Sequence, residues 1–80
     1  MRVEEAYGDQ VRRYAVAGIT SRAYDKLISR LEELIQKEES PVAGQIGRWL
    51  GGDRAALAIT VKPGCTVEQV DQAIYDALGL

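Results

Sequence analysis

Histidine is missing from this 80-residue chain and cysteine is scarce, although many enzymes depend on these two residue types. It has no histidine and one cysteine, Cys65, so it lacks a Ser-His-Asp triad, a Cys-His pair and an imidazole metal ligand. A single cysteine forms neither an internal disulfide nor a thiolate zinc site, which argues against a disulfide-stabilised secreted miniprotein. The composition therefore predicts a protein that is not an enzyme and that uses no metal or other cofactor.

Long apolar runs are also missing. The longest, Tyr14–Ile19, has six residues, whereas a membrane-spanning helix needs about 20. Glu4 and Glu5 stand near the N-terminus, where a signal peptide would carry basic residues followed by an apolar stretch. From these absences we expect a soluble, cytoplasmic protein with no membrane contact.

Charge and length set further limits. Ten basic and 12 acidic side chains give a net charge of −2, which disfavours direct nucleic-acid binding, because such binding depends on a basic surface. A chain of this size buries only about 60–65% of its unfolded surface. Leu, Ile and Val nevertheless supply 20 residues, too many for a disordered chain. We predict one compact α+β domain over residues 1–80.

Hydrophobic periodicity and turn residues predict the order ββααβα, a small three-stranded sheet with helices packed on one face. The predicted elements are a strand at 2–7, a turn at 8–9, a strand at 10–19, helices at 21–38 and 41–50, a strand at 55–62 and a last helix between Thr66 and Gly79. Thr66 with Gln69 fits a capping box at the start of that last helix.

The other helix predictions rest on apolar spacing and start signals. Apolar residues recur at helical spacing through 24–35, after the capping candidate Thr20. Ser40-Pro41 is typical of a second helix start. Two glycines within 41–50 would each weaken that helix by about 1 kcal/mol relative to alanine, so a strand is the alternative interpretation of this segment.

The last predicted helix has no basic residue, and its outward side is acidic and polar. These side chains are Glu68, Asp71, Gln72, Tyr75 and Asp76. One interpretation is an ordinary solvated helix face, with acids near the N-terminus where the helix dipole favours them. The other is a docking surface for a basic protein, because tyrosine provides contact area at low entropic cost and acids steer the approach of a basic partner.

Arg48 and Trp49 form a second candidate contact, since arginine and tryptophan are common in the centres of protein interfaces. The alternative is that Trp49 is the largest core side chain, because so small a domain has few others to fill its interior. Cys65, at a predicted helix start, has no neighbouring base or second cysteine in the sequence, and we interpret it as a bystander thiol.

One local basic grouping contains Arg12, Arg13 and Arg22, with Tyr14 nearby. Arginine and an aromatic ring can hold single-stranded nucleic acid through phosphate contacts and stacking. Alternation along a strand would place Arg12 and Arg13 on opposite faces, which dilutes the patch.

Two stretches that each enter a predicted helix resemble the heavy-metal-associated domain: they are VAGITSRAYDKL and PGCTVEQVDQAI. Gly18 and Ile19 stand where that family has glycine and methionine. The resemblance implies a ferredoxin-like βαββαβ fold, which we keep as an alternative topology. Ser21 and Tyr24 occupy the positions of the family's metal-binding cysteines, and since neither provides a thiolate, no metal site is carried over.

Together these features favour a small acidic protein-binding module, a regulator or inhibitor that docks onto a larger partner, for example one with a basic nucleic-acid-binding surface. Phage- or plasmid-encoded inhibitors of the anti-CRISPR type are similar in size and charge. Two alternatives stay open. One is a self-associating structural or regulatory subunit, such as a homodimer formed through an open strand edge. The other is a weak nucleic-acid-binding domain.

Overall fold

The computed structural model describes residues 1–7 and 10–80, which form a four-stranded antiparallel sheet and two helices. The elements are β1 (Arg2–Tyr7), β2 (Val11–Ala17), α1 (Ser21–Ile35), β3 (Val42–Gly51), β4 (Arg54–Val61) and α2 (Val67–Leu78). The strands lie in the order β1-β2-β4-β3, and both helices pack on one face of the sheet. The α+β class is therefore confirmed, whereas the three-stranded ββααβα order is wrong. The predicted turn at 8–9 lies outside the described residues.

The main difference lies in residues 42–51, which form β3 and not the predicted helix over 41–50. The apolar residues there mimic helical spacing because they are divided between the two faces of the strand. Val42 and Trp49 pack towards the core, whereas Ile46 and Leu50 are exposed. Register shifts near both ends of the strand further interrupt the alternation. The glycines after this segment do not end a helix. Gly52 begins a two-residue turn between β3 and β4 with a φ of 60°, a backbone conformation that glycine adopts without strain in tight hairpins.

Capping residues fix the helix starts where the sequence predicts them. The Thr20 hydroxyl accepts a hydrogen bond from the Ala23 backbone N–H at 3.1 Å, which begins α1. At the start of α2, the side chains of Thr66 and Gln69 each accept a bond from the other's backbone N–H, so the predicted capping box is confirmed. α1 ends at Ile35, before the predicted end at residue 38.

The core lies between the sheet and the two helices and is mostly aliphatic. Leu27 and Leu31 of α1 and Val70 and Ile74 of α2 are buried against alternate residues of the sheet. β4 contributes the largest share, since Ala55, Leu57, Ile59 and Val61 all face the helices. The sheet therefore has one fully covered face and one face without helices.

Gly47 allows α1 to approach β3 closely. A β-carbon at this position would lie 2.5 Å from Ile28 Cδ1 and 2.6 Å from the Tyr24 hydroxyl, so a larger residue would force both side chains to move. The close approach also places the Tyr24 ring against Trp49, with the ring centroids 5.6 Å apart. This contact fixes α1 above the edge strand of the sheet.

From β2 to α2 the element order is βαββα, the same as the first five elements of the ferredoxin-like alternative. In the described chain the remaining strand is β1, which precedes these elements and pairs with β2. Neither α1 nor α2, the helices of the described chain, combines the length and apolar character that crossing a bilayer would require.

Candidate docking surfaces

The acidic side predicted for α2 is divided between the surface and the interior. Glu68, Gln72 and Asp76 are exposed at four-residue intervals, and Gln72 Nε2 donates a hydrogen bond to Asp76 Oδ1 at 2.9 Å. Tyr75 is half-buried, and Asp71 faces the sheet. We call Glu68, Gln72 and Asp76 the α2 stripe, because these three side chains form the exposed row.

Asp71 joins α2 to the sheet through a buried polar network. Its carboxylate accepts hydrogen bonds from Arg12 Nε at 2.7 Å, from Arg12 Nη2 at 2.8 Å and from the Tyr14 hydroxyl at 2.5 Å. The Arg12 side chain is completely buried, and it also forms an ion pair with Glu5 of β1. Among the described residues, Glu5 and Asp71 thus supply carboxylates that balance the buried cation, as burial of a guanidinium requires. Arg12 and Tyr14 are therefore part of the interior and not of a surface patch with Arg13.

Tyr14 is held as a neutral hydrogen-bond donor. Burial raises the pKa of its hydroxyl far above the usual range, and the hydrogen bond to the Asp71 carboxylate raises this pKa further. The positive charge of Arg12 acts in the opposite direction and has a smaller effect. The hydroxyl consequently keeps its proton at physiological pH, and its role in this network is to satisfy a buried acceptor.

Arg48 and Trp49 lie on opposite faces of the sheet. Neighbouring residues of a strand point to opposite sides, so Trp49 packs under α1 while Arg48 is exposed on the face without helices. Trp49 is half-buried against the core, which agrees with its interpretation as a core side chain. Arg48 is thereby separated from Trp49 and grouped with residues of the other strands.

The strand register shows which residues share the uncovered face. At its centre Ala15 of β2 pairs with Ala56 of β4, and the row continues to Glu4 on β1 and to Arg48 on β3. The neighbouring row contains, in strand order, Ala6, Arg13, Ala58 and Ile46. We call Ala15, Ala56 and Ala58 the alanine floor, because their small side chains form the bottom of a depression in the middle of this face.

Three arginines, which we call the arginine rim, stand around the alanine floor. Arg13 precedes Ala15 by two residues on the same face of β2, Arg54 precedes Ala56 by two residues on the same face of β4, and Arg48 is paired with Ala56 across the strands. All three are exposed, and none forms an ion pair with another described residue. Arg13 and Arg48 line a shallow trough of about 440 Å³ above the floor.

Two aliphatic side chains protrude from β3 beside this trough. Ile46 is 76% exposed and Leu50 is 55% exposed, although a small domain gains stability by burying such residues. Exposed aliphatic groups next to arginines resemble the composition of protein interfaces, where an apolar centre is surrounded by polar residues. The uncovered face therefore offers apolar contact and positive charge together.

Charge is separated between the two sides of the molecule. Among the described residues of the uncovered face, the arginine rim and Arg2 are opposed by Glu4, which pairs with Arg2. α2 has acidic residues and no basic one, as its sequence shows. A chain of net charge −2 thus presents a basic sheet face and an acidic helix, an asymmetry that would steer the approach of charged partners.

Other sequence features provide no chemical site among the residues that the structure describes. No three histidine, cysteine, aspartate or glutamate side chains of residues 1–7 and 10–80 are grouped so that they could hold a metal ion. Cys65 is half-buried against the core. Tyr24, at one metal position of the resembled family, packs against Trp49 instead.

Sequence reasoning named Arg48 and Arg13 but did not bring them together with Arg54. The signal was present in the alternation of small and large residues along β4, which predicts one buried and one open face. Because 41–50 was predicted to be a helix, the sequence interpretation had no strand β3 beside β4. Arg48 was therefore not placed on the same sheet face as Arg13 and Arg54. A comparison of the chain with protein-family models, with curated proteins and with solved structures gave no match.

Proposed function

We propose that this protein is a protein-binding module that docks an acidic partner onto the uncovered face of its sheet. The observation that supports this is the arginine rim, three exposed arginines around an alanine floor that form no ion pair with a described carboxylate. Arginine recognises carboxylates through paired hydrogen bonds, and the floor gives a partner's aliphatic side chains room to approach the sheet.

Charge and shape favour an acidic protein over the alternatives. Sheet faces that bind single-stranded nucleic acid depend on exposed aromatic rings for base stacking, and the described residues of this face include none. Two copies of the chain that met through this face would bring arginine rims together, and such like-charge contacts cost binding energy. The expected lack of catalytic activity stays a prediction.

The test compares two doubly substituted proteins with the same change in charge. Arg13→Glu with Arg48→Glu reverses the rim, and Arg22→Glu with Lys26→Glu reverses two exposed residues of α1. Each protein is immobilised, exposed to nuclease-treated lysate of the native host, and the captured proteins are quantified by mass spectrometry. The dissociation constant of each candidate partner is then measured with purified protein at two salt concentrations.

We expect the rim variant to bind the partner at least tenfold more weakly, while the α1 variant binds within threefold of the wild type. The wild-type affinity should fall with added salt, because exposed charges are screened. A partner that binds both variants equally, or capture that depends on nucleic acid, would count against docking through the rim.

A second candidate function uses the α2 stripe, whose exposed residues recur every four positions on a helix without basic residues. In this case the chain would act as a regulator or inhibitor that covers a basic nucleic-acid-binding surface, as anti-CRISPR-type inhibitors do. Glu68→Lys with Asp76→Lys should then slow association with the captured partner and flatten its salt dependence. Unchanged association rates would reject this use of the stripe.

A further inference from the structure

β3 is an edge strand with a long unpaired side. Within the described sheet this ten-residue strand has β4 as its neighbour on one side and no strand on the other, so alternate backbone N–H and C=O groups point away from the sheet. In the described part of the chain, the backbone bonds of loops and caps involve none of residues 43–51. The outer side of β3 therefore presents a row of donors and acceptors to any approaching strand.

The features that usually protect an edge strand are scarce in β3. Native edges are often blocked by lysine, proline, several charges or bulges. VAGQIGRWLG contains one charged residue, Arg48, and its register shifts lie near the two ends, so the stretch 44–49 between them is regular. Gly44 has no side chain to shield the backbone on the uncovered side, whereas Gly47 is covered by Ile28 and Tyr24 of α1. The other edge, β1, has six residues and carries Arg2, Glu4 and Glu5, so it is both shorter and more charged.

We propose that an extended segment of the acidic partner pairs with the outer side of β3 and continues the sheet. The proposal rests on the proposed function, because Arg48 belongs to both the rim and the edge strand. An added strand brings its side chains to roughly 5 Å from their cross-strand neighbours. The added strand would place an aliphatic side chain beside Ile46 and an acidic side chain beside Arg48. These two side chains of the partner would be two positions apart, so both would lie on the uncovered face.

A second copy of this chain fits the edge less well. Pairing of β3 with β3 would join two uncovered faces into one sheet, and each face carries the three arginines of the rim, while its described acid, Glu4, is paired with Arg2. An acidic segment instead neutralises Arg48 and covers Ile46, which is 76% exposed. The binding mode is strand addition, in which backbone bonds supply affinity and alternate side chains supply specificity.

The experiment uses the full chain and a synthetic ten-residue peptide that carries Ile and Glu two positions apart on a Thr-rich background. Two further peptides are methylated on alternate backbone nitrogens, one on the odd and one on the even positions. An added strand directs one of these two sets of N–H groups towards β3. Binding is followed by NMR titration and by hydrogen exchange of the β3 amides.

We expect the unmodified peptide to protect alternate amides of β3. One methylated peptide should bind at least tenfold more weakly, equivalent to about 1.4 kcal/mol, and the other within threefold. Arg48→Glu should also weaken binding at least tenfold, whereas Arg22→Glu should not.

Three results would overturn strand addition. Equal binding of both methylated peptides would show that the peptide lies on the face without pairing to β3, which leaves docking through the rim intact. The absence of binding at millimolar peptide would also count against it, as would β3 amides already protected in a dimer detected by sedimentation. The proposed function is tested separately, by the dissociation constant between the captured partner and the variant that carries Arg13→Glu and Arg48→Glu.

Discussion

The strongest stability prediction concerns Asp71, whose replacement by asparagine removes a carboxylate that balances the buried Arg12 guanidinium. Asparagine keeps the shape, but it loses the charge and turns one acceptor into a donor that faces Arg12 and Tyr14. Breaking a buried ion pair in this way costs about 3–5 kcal/mol, and the retained pair with Glu5 places the expected cost near the lower limit. We therefore expect Asp71→Asn to lower the free energy of unfolding by about 3 kcal/mol.

That loss is large for a domain of this size. At about 0.05–0.15 kcal/mol per residue, 80 residues give a total of roughly 4–12 kcal/mol. A loss of about 3 kcal/mol would lower Tm by roughly 12–24 °C, since each kcal/mol corresponds to about 4–8 °C in small domains. Urea unfolding followed by circular dichroism, together with a thermal scan, measures both quantities.

The matched control is Asp76→Asn on the exposed side of the same helix. Asp76 accepts one hydrogen bond from Gln72, and its replacement should change the free energy of unfolding by less than about 0.5 kcal/mol. Combining Asp71→Asn with Tyr14→Phe should cost less than the sum of the two single changes, because the two groups share one bond. If Asp71→Asn is as mild as Asp76→Asn, the proposed role of the network in stability is wrong.

Three further predictions follow from local contacts. The raised pKa of Tyr14 means that the unfolded chain releases this proton first as pH rises, so the free energy of unfolding should fall above about pH 10 by up to about 1.4 kcal/mol per pH unit. Tyr14→Phe should remove this part of the decline in urea titrations over pH; an unchanged slope would contradict it. Gly47→Ala should cost about 1–3 kcal/mol, because its methyl group would meet Ile28 Cδ1 at 2.5 Å, whereas Gly44→Ala, with 3.7 Å to its nearest neighbour, should be neutral or slightly stabilising in the same assay. Thr66→Ala should cost about 1 kcal/mol by urea unfolding, and a loss that is not recovered by Thr66→Ser would point away from the capping bond.

The parts of the fold that sequence predicts well are those whose causes lie within a few residues. The capping box of Thr66 and Gln69 connects positions three apart, and the apolar stripe of α1 is complete within the helix itself. Whether residues 42–51 form a strand or a helix depends instead on their pairing with β4, which includes register shifts near both strand ends. No local propensity encodes those shifts, so the helix prediction failed there because tertiary context outweighs propensity.

The interior network could have been inferred from two charges in apolar patterns. Arg12 shares a strand face with Tyr14 and Val16, and Asp71 lies four residues after Val67 and three before Ile74, on the apolar side of α2. Buried charges are almost always paired, so each of these positions calls for a partner of opposite sign. Their distance in sequence hides the pairing, which only the folded arrangement of β2 beneath α2 brings about.

Arg12 connects the beginning of the chain to its end, since Glu5 on β1 and Asp71 on α2 bind the same guanidinium. Detachment of either terminal element would remove a carboxylate from this buried cation and leave its charge less well balanced. Fraying at one terminus is therefore coupled to the other, and unfolding should be an all-or-none event. We therefore expect limited proteolysis to yield intact chain and small peptides, with no long-lived trimmed fragment between them.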